Sequence, residues 1–191
     1  MNMLTDTHDP VTANWAASLL HFWFNQAGPE RWYQHEPAFD RQCVIRCRDT
    51  WEEKRALPPE EFLGRADDAL AAVLLFDQLP RNMFRGTAHA LATDGLARAV
   101  ARGAIAQGYD IQIGGAGRLF FYMPFQHSED RDDQALSLSL FEAAGDAEAL
   151  DFARRHHDII HRFGRFPHRN AILGRETLAE ERDAAHQGLN W

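Results

Sequence analysis

Three segments of the chain gather the side chains that could do chemistry. They are LLFDQLPRNMFRG (74–86), FFYMPFQHSED (120–130) and RFGRFPHRN (162–170), and in each an apolar run meets a proline crowded by charged or amide groups. Proline lacks a backbone donor and clashes with the turn before it, so these segments are expected to end or kink helices and to fix the direction of the residues after them. Charges placed beside buried helices are costly unless paired. Asp77 and Arg81 stand one helical turn apart, as do Arg81 and Arg85, so two stacked arginines near a single Asp are expected to leave a positive charge unmatched. Arginine grips carboxylate or phosphate through two parallel hydrogen bonds. A histidine beside a carboxylate has the makings of an acid or base. The chemistry implied is the clamping of a small anion, with proton transfer to or from it. The expected catalytic residues are His127, His168, Glu129 and Asp77; the expected binding residues are Gln78, Arg81, Asn82, Arg85, Ser128, Arg165, Arg169 and Asn170.

Other patterns carry less. HDIIH (157–161) has the H-x3-H spacing that puts two imidazoles on one side of a helix, with Asp where zinc proteases carry Glu, and no third ligand is specified. No metal is therefore expected, and a metal-dependent hydrolase using His127, Glu129, His157 and His161 stays a second alternative. Cys43 and Cys47 in CVIRC share one helical face and read as small reduced apolar side chains packed inward, with no second pair to complete a zinc site. There is no G-x-S-x-G, P-loop or G-x-G-x-x-G, and Ser128 beside His127 is not a triad. Residues 127–151 hold eight acids against Arg131 alone, whereas 154–175 hold six arginines against Asp158 alone. Either the two stretches pair as a scaffold, or part of the Arg/His set faces a cleft.

The elements that must position these groups read as helices. Apolar residues recur at helical spacing from Val11 to Asn25, ended by Gly28-Pro29, and again from Phe39 to Trp51. Residues 66–76 are apolar on every side, which marks a buried helix. Thr93-Asp94 reads as an N-cap for a helix through Ile105 that stops at Gly108, and DIQIGGAG reads as a loop. ALSLSLF (135–141) alternates like a strand, but its neighbours are helix formers and no partner strand is evident, so it is read as helix. Residues 146–163 form a clear helix whose apolar face is Ala149, Phe152, Ala153, Ile160 and Phe163, with His156 at its centre as a hydrogen-bonded core histidine; 176–187 form a short polar one. Pro37, Pro80, Pro124 and Pro167 are spaced 43, 44 and 43 residues apart, a weak hint of repeated helical hairpins.

The class is therefore all-α: a flexible tail over 1–10 and a single domain of stacked antiparallel helices over 11–191. With 191 residues, 45% hydrophobic and 25% charged, the chain has globular composition. A net charge of −8 disfavours nucleic acid and anionic membranes as partners. No apolar run is long enough to span a bilayer and no secretory signal opens the chain, so it is expected to be soluble and cytoplasmic.

The strings LLFDQLPRNMFRGTAHALATD, FFYMPFQHSEDRDDQALSLSLFE and HHDIIHRFGRFPHRNAILGR, with HFWF as a weaker fourth, resemble the bacterial domain of unknown function numbered nine-two-four, from about residue 19 to 175. The resemblance implies a tetratricopeptide-like, all-α domain of stacked antiparallel helices and names no activity and no cofactor. His161 lies outside its pattern, and residues 42–64 match it least. The function expected is binding of a small anionic metabolite in an Arg/His-lined cleft, with acid/base catalysis as an extension. The alternative is a protein- or peptide-interaction module, although regular 34-residue repeats are missing.

Overall fold

Residue 66 begins the central rod of the molecule. Six of the eight residues of α4 (Ala66–Val73) are buried, and small alanines on every side let neighbours approach from all directions. In the computed structural model, which describes residues 14–182, the rod continues through a π-helical turn at Leu74–Gln78 into α5 (Leu79–Met83) without breaking. The Leu79 amide donates to the Leu74 carbonyl, five residues back, and the wider turn admits Pro80 as the second residue of α5. The expectation that a helix ends or kinks at each proline segment is corrected at Pro80; helices do stop at Phe120, before Pro124, and at Phe163, before Pro167. Pro37, Pro124 and Pro167 sit at the first or second position of a helical segment, where the missing amide has no intrahelical partner to lose, whereas Pro80 lies inside the rod just past the wide turn.

Among the described residues every regular segment is helical and no strand occurs. Two further α-helical segments precede the rod's flank: α1 (Trp15–Leu20), which runs into a π-helical turn at His21–Ala27, and α2 (Pro29–Trp32). Gly28 between them has φ +74°, a conformation in which any other residue is strained. Then come α3 (Pro37–Lys54), α6 (Asp94–Ala106), α7 (Tyr109–Ile113), α8 (Gly115–Phe120), α9 (Met123–Gln126), α10 (Arg131–Ala144) and α11 (Ala147–Phe163). The DIQIGGAG stretch, expected as a loop, is mostly helical, because α7 and α8 are separated by Gly114 alone. Thr93 precedes α6 but does not cap it; its hydroxyl donates to the Phe76 carbonyl at 2.7 Å. Helix α10 is capped by Asp130 and α11 by Asp146, and Gly145 (φ +76°) turns the chain between them. Arg131 at the start of α10 donates to His161 near the end of α11, so the pair is antiparallel.

Helices α1 and α6 pack on α4, α3 packs on α5, and α9 joins α6 to the α10–α11 hairpin. One hydrophobic cluster runs through these elements. Its aromatic part, Trp23, Phe24, Trp32 and Phe120, holds ring centroids 5.0–6.2 Å apart, mostly edge-to-face, and the Trp32 indole donates to the Trp23 carbonyl at 2.9 Å. Such pairs add about 0.5–1.5 kcal/mol each beyond the area they bury. They fix α2 and so set where Trp32 and Tyr33 meet the site. The tail over 1–10, the first residues of the expected Val11–Asn25 helix and the end of the 176–187 helix lie outside the described residues. Within the latter, Ala179–Glu181 forms a single 3₁₀ turn.

Candidate functional site

The wide turn at Leu74–Gln78 sends Asp77 inward, and the descent of α9 brings His127 onto it. Asp77 has no exposed surface. Its Oδ1 lies 2.8 Å from His127 Nδ1 and 3.3 Å from Arg81 Nη1, while Gln78 Nε2 donates to Oδ2 at 2.6 Å. Arg81 also donates to the Asp77 carbonyl. Complete burial pushes the Asp77 carboxyl upward, but the Arg81 charge and the hydrogen bonds from His127 and Gln78 outweigh it and hold the group far below the usual carboxylate range. An ionised carboxylate only accepts, so His127 Nδ1 carries the proton and Nε2 the lone pair. Burial pushes the imidazole below its ordinary value of 6.5 against the pull of Asp77, which keeps it neutral at pH 7.

Arg81 does not carry the unmatched charge that its spacing implied. Its Nη1 and Nη2 donate to Asp94 at 3.1 and 3.3 Å, in addition to the Asp77 contact. Arg85 is gripped by Asp40, Nε at 2.8 Å and Nη2 at 3.0 Å, and Asn82 donates to the same carboxylate at 2.9 Å. Burial pushes the Asp40 carboxyl upward, and the hydrogen bonds from Arg85 and Asn82 more than reverse this. Asp40 and Asp94 each lie in the first turn of a helix, α3 and α6, where the helix dipole favours an anion. Sequence reasoning missed both. The signal available was an acid at a helix start; which arginine it meets is decided by packing.

Of these groups Gln78, Arg81, Asn82, Arg85 and His127 border a cavity of about 920 Å³; Asp40, Asp77 and Asp94 do not line it. Gln78, Arg81, Asn82 and Arg85 from α5 and its approach, Gln126 and His127 from α9, and His156 from α11 supply its polar floor. Trp32, Leu119, Met123, Phe141, Phe152 and Phe163 supply apolar wall; Tyr33, Asp146, Glu148, Arg155, Asp158 and Arg162 stand around it too. His156, at the centre of the α11 face, is the hydrogen-bonded core histidine expected there: it is 3% exposed and donates from Nδ1 to the Phe152 carbonyl at 2.8 Å. It also borders the cavity. Phe152, expected inside, is 44% exposed because it stands at the cavity wall.

Of the third proline segment, Arg162 and Phe163 reach the cavity and the other side chains do not. Arg165 donates to Glu181 at 2.6 and 2.9 Å, and Asn170 donates to Glu181 at 3.0 Å. Glu129 is held by Arg175 at 2.7 and 3.0 Å and accepts from the Phe166 amide at 2.8 Å. Ser128 is buried, and its hydroxyl accepts from the Asp130 amide at 3.2 Å. His168 packs beside Phe166, and Arg169 stacks on the same ring at 4.4 Å. None of the expected residues Ser128, Glu129, Arg165, His168, Arg169 and Asn170 lines the cavity, although Arg169 is near enough to Arg81 for their charges to oppose. The acidic and basic stretches thus pair in part with each other, Glu129 with Arg175 and Asp151 with Arg155, and in part elsewhere, Asp133 with Arg98 and Arg102. His157 and His161 stack at 5.9 Å, and among the described residues no three His, Cys, Asp or Glu side chains are grouped to hold a metal ion. Cys43 and Cys47 are free and buried, and burial pushes both thiols up.

The buried imidazoles give stability a pH dependence with a definite sign. Burial holds His156 at about 3 and His168 at about 4, below their ordinary 6.5. Between those values the unfolded chain binds more protons than the folded one, so this contribution is complete above pH 6.5 and declines as pH falls toward 4 and 3. His156 alone accounts for about 2 kcal/mol by pH 5. Thermal unfolding followed from pH 7.5 to 5, above the carboxylate range, is expected to show a falling midpoint that flattens in His156→Gln; a level wild-type profile would contradict the assignment.

Fold and site together define an all-helical domain built around a polar-floored cavity, with no described helix long and apolar enough to cross a membrane. The chain belongs to the family described as bacterial protein of unknown function (DUF924), which matches residues 19–188. It is similar to a solved structure of a protein of unknown function from Agrobacterium tumefaciens, at 44% identity and a TM-score of 0.85, covering 93% of this chain and 99% of that one. No curated protein matches it.

Proposed function

We propose that the protein binds a small anionic molecule in this cavity, with the charged group toward Gln78, Arg81, Asn82 and Arg85, and with His127 as a proton acceptor positioned by Asp77. One observation carries the reading: side chains more than forty residues apart, from α5 and from the end of α9, border a single cavity of about 920 Å³. That size lies in the range that encloses a metabolite, roughly 300–1,000 Å³. The carboxylates of Asp40 and Asp94 hold the two guanidinium groups in place before a ligand arrives, so little ordering cost falls on binding. His127, neutral and with its Nδ1 proton on Asp77, has the tautomer a general base needs. Glu129, Ser128, Arg165, His168, Arg169 and Asn170 serve this reading as the scaffold behind the floor.

A thermal-shift panel of carboxylated and phosphorylated metabolites tests it. A true ligand at about a hundred times its Kd adds about 2.7 kcal/mol, a rise in Tm of roughly 5–10 °C for a chain of this size. Arg85→Gln, at a partly exposed position, is expected to halve that rise or more. A panel in which no anion raises Tm, or raises it equally in both proteins, defeats the proposal.

A further inference from the structure

We infer that the ligand is an apolar monocarboxylate, an acid with a single negative charge on an aryl or alkyl body, rather than a phosphorylated or multiply charged metabolite. This rests on the cavity being an anion site. Charge arrangement and wall composition each lead to it.

The floor arginines are already met. Asp77 and Asp94 flank Arg81, and Asp40 grips Arg85 on two nitrogens. The cations nearer the mouth, Arg155 and Arg162, are offset by Asp146, Glu148 and Asp158 on the same lining, and Arg155 is itself bound to Asp151 at 2.5 Å. Sites for phosphate groups leave guanidinium or ammonium charge in surplus; here a second negative charge on the ligand would face carboxylates on both sides. One charge is admitted, because Asn82 Nδ2 gives one of its two hydrogens to Asp40 and Arg85 grips that carboxylate through Nε and Nη2, which leaves the second Asn82 hydrogen and Arg85 Nη1 as donors at the floor.

The wall asks for an apolar body. Phe141, Phe152, Phe163, Leu119 and Met123 line the cavity, which is far larger than a bare carboxylate requires. A ligand filling only the floor would leave these surfaces wet; one with a ring or chain covers them.

Isothermal titration of the wild-type protein with phenylacetate, octanoate, acetate, phenyl phosphate and phenylacetamide separates the contributions. Burying a phenyl group against this wall should make phenylacetate bind about 30-fold tighter than acetate. Phenyl phosphate, a dianion above pH 7, and uncharged phenylacetamide should each bind at least about 10-fold more weakly than phenylacetate. Phe152→Ser, at a half-exposed position where folding is little affected, should weaken phenylacetate about 5-fold and leave acetate unchanged. Phenyl phosphate binding tighter than phenylacetate would overturn the monocarboxylate assignment and leave an anion site standing. Equal binding of phenylacetamide would overturn both, as would no binding by any of the five. Acetate matching phenylacetate and octanoate would remove the apolar body from the assignment.

Discussion

Asp77→Asn is expected to remove about 3–5 kcal/mol of stability, the usual loss when one partner of a buried ion pair is taken away. The substitution keeps the shape and removes the charge. Asp77 is fully buried and gathers His127, Gln78 and Arg81 around its two oxygens, so a neutral amide takes one of the two carboxylates away from Arg81 and brings an N–H₂ against groups that are themselves donors. At roughly 2–4 °C per kcal/mol for a chain of this length, Tm should fall by about 10 °C. The imidazole would also lose the acceptor that fixes its tautomer, so any proton transfer at His127 should fall further than stability explains. Scanning calorimetry checks the first effect; a Tm within a degree of wild type would show that Asp77 does not anchor the floor.

Trp51→Ala is expected to cost about 3–5 kcal/mol, as for other buried aromatic truncations. Trp51 lies in α3 with no exposed surface, packs on Phe84 at 4.9 Å and His89 at 5.4 Å, and carries Arg55 over its face at 4.6 Å. Its indole donates to Thr93 Oγ1 at 3.1 Å, and Thr93 in turn donates to the carbonyl of Phe76, the residue before Asp77. The truncation therefore opens a void and removes a brace from the wide turn that aims Asp77. Trp51→Phe keeps most of the packing but drops the donor, and should cost about 1 kcal/mol for that hydrogen bond plus a smaller packing loss. Urea midpoints of the two variants order the effects; a Trp51→Ala loss below about 1 kcal/mol would contradict the bracing role.

The long amphipathic helices were legible because one face of each repeats every three or four residues. Phe39, Cys43, Cys47 and Trp51 are the buried stripe of α3, and ALSLSLF is helical despite its alternation because Asp130 caps α10 and Phe141 and Ser137 are the side it buries. Pro80 misled because the π-helical turn that lets α4 run into it has no sequence signature of its own, whereas helices do stop before Pro124 and Pro167. DIQIGGAG misled because its glycines flank and start short helices that tertiary packing holds. Within the candidate site, the Asp77–Arg81 spacing was readable, being local. Asp40 lies 45 residues from Arg85 and 50 residues separate Asp77 from His127, so those partners depend on how α3, α5 and α9 pack. The third proline segment looked like the other two in composition, yet its Arg165 is matched by Glu181, an acid whose nearness only the fold decides.

The central claim is that His127 is a neutral base, its Nδ1 proton held by Asp77, beside a cavity that receives a carboxylic acid. Long-range nitrogen–proton NMR on isotope-labelled imidazoles reads tautomer and charge directly and can be repeated with phenylacetate present. At pH 7 His127 should be neutral with its proton on Nδ1, and saturating phenylacetate should shift His127 and His156 while exposed His35 and His161 stay in place. A His127 already protonated above pH 6.5, carrying its proton on Nε2, or indifferent to ligand would contradict the account.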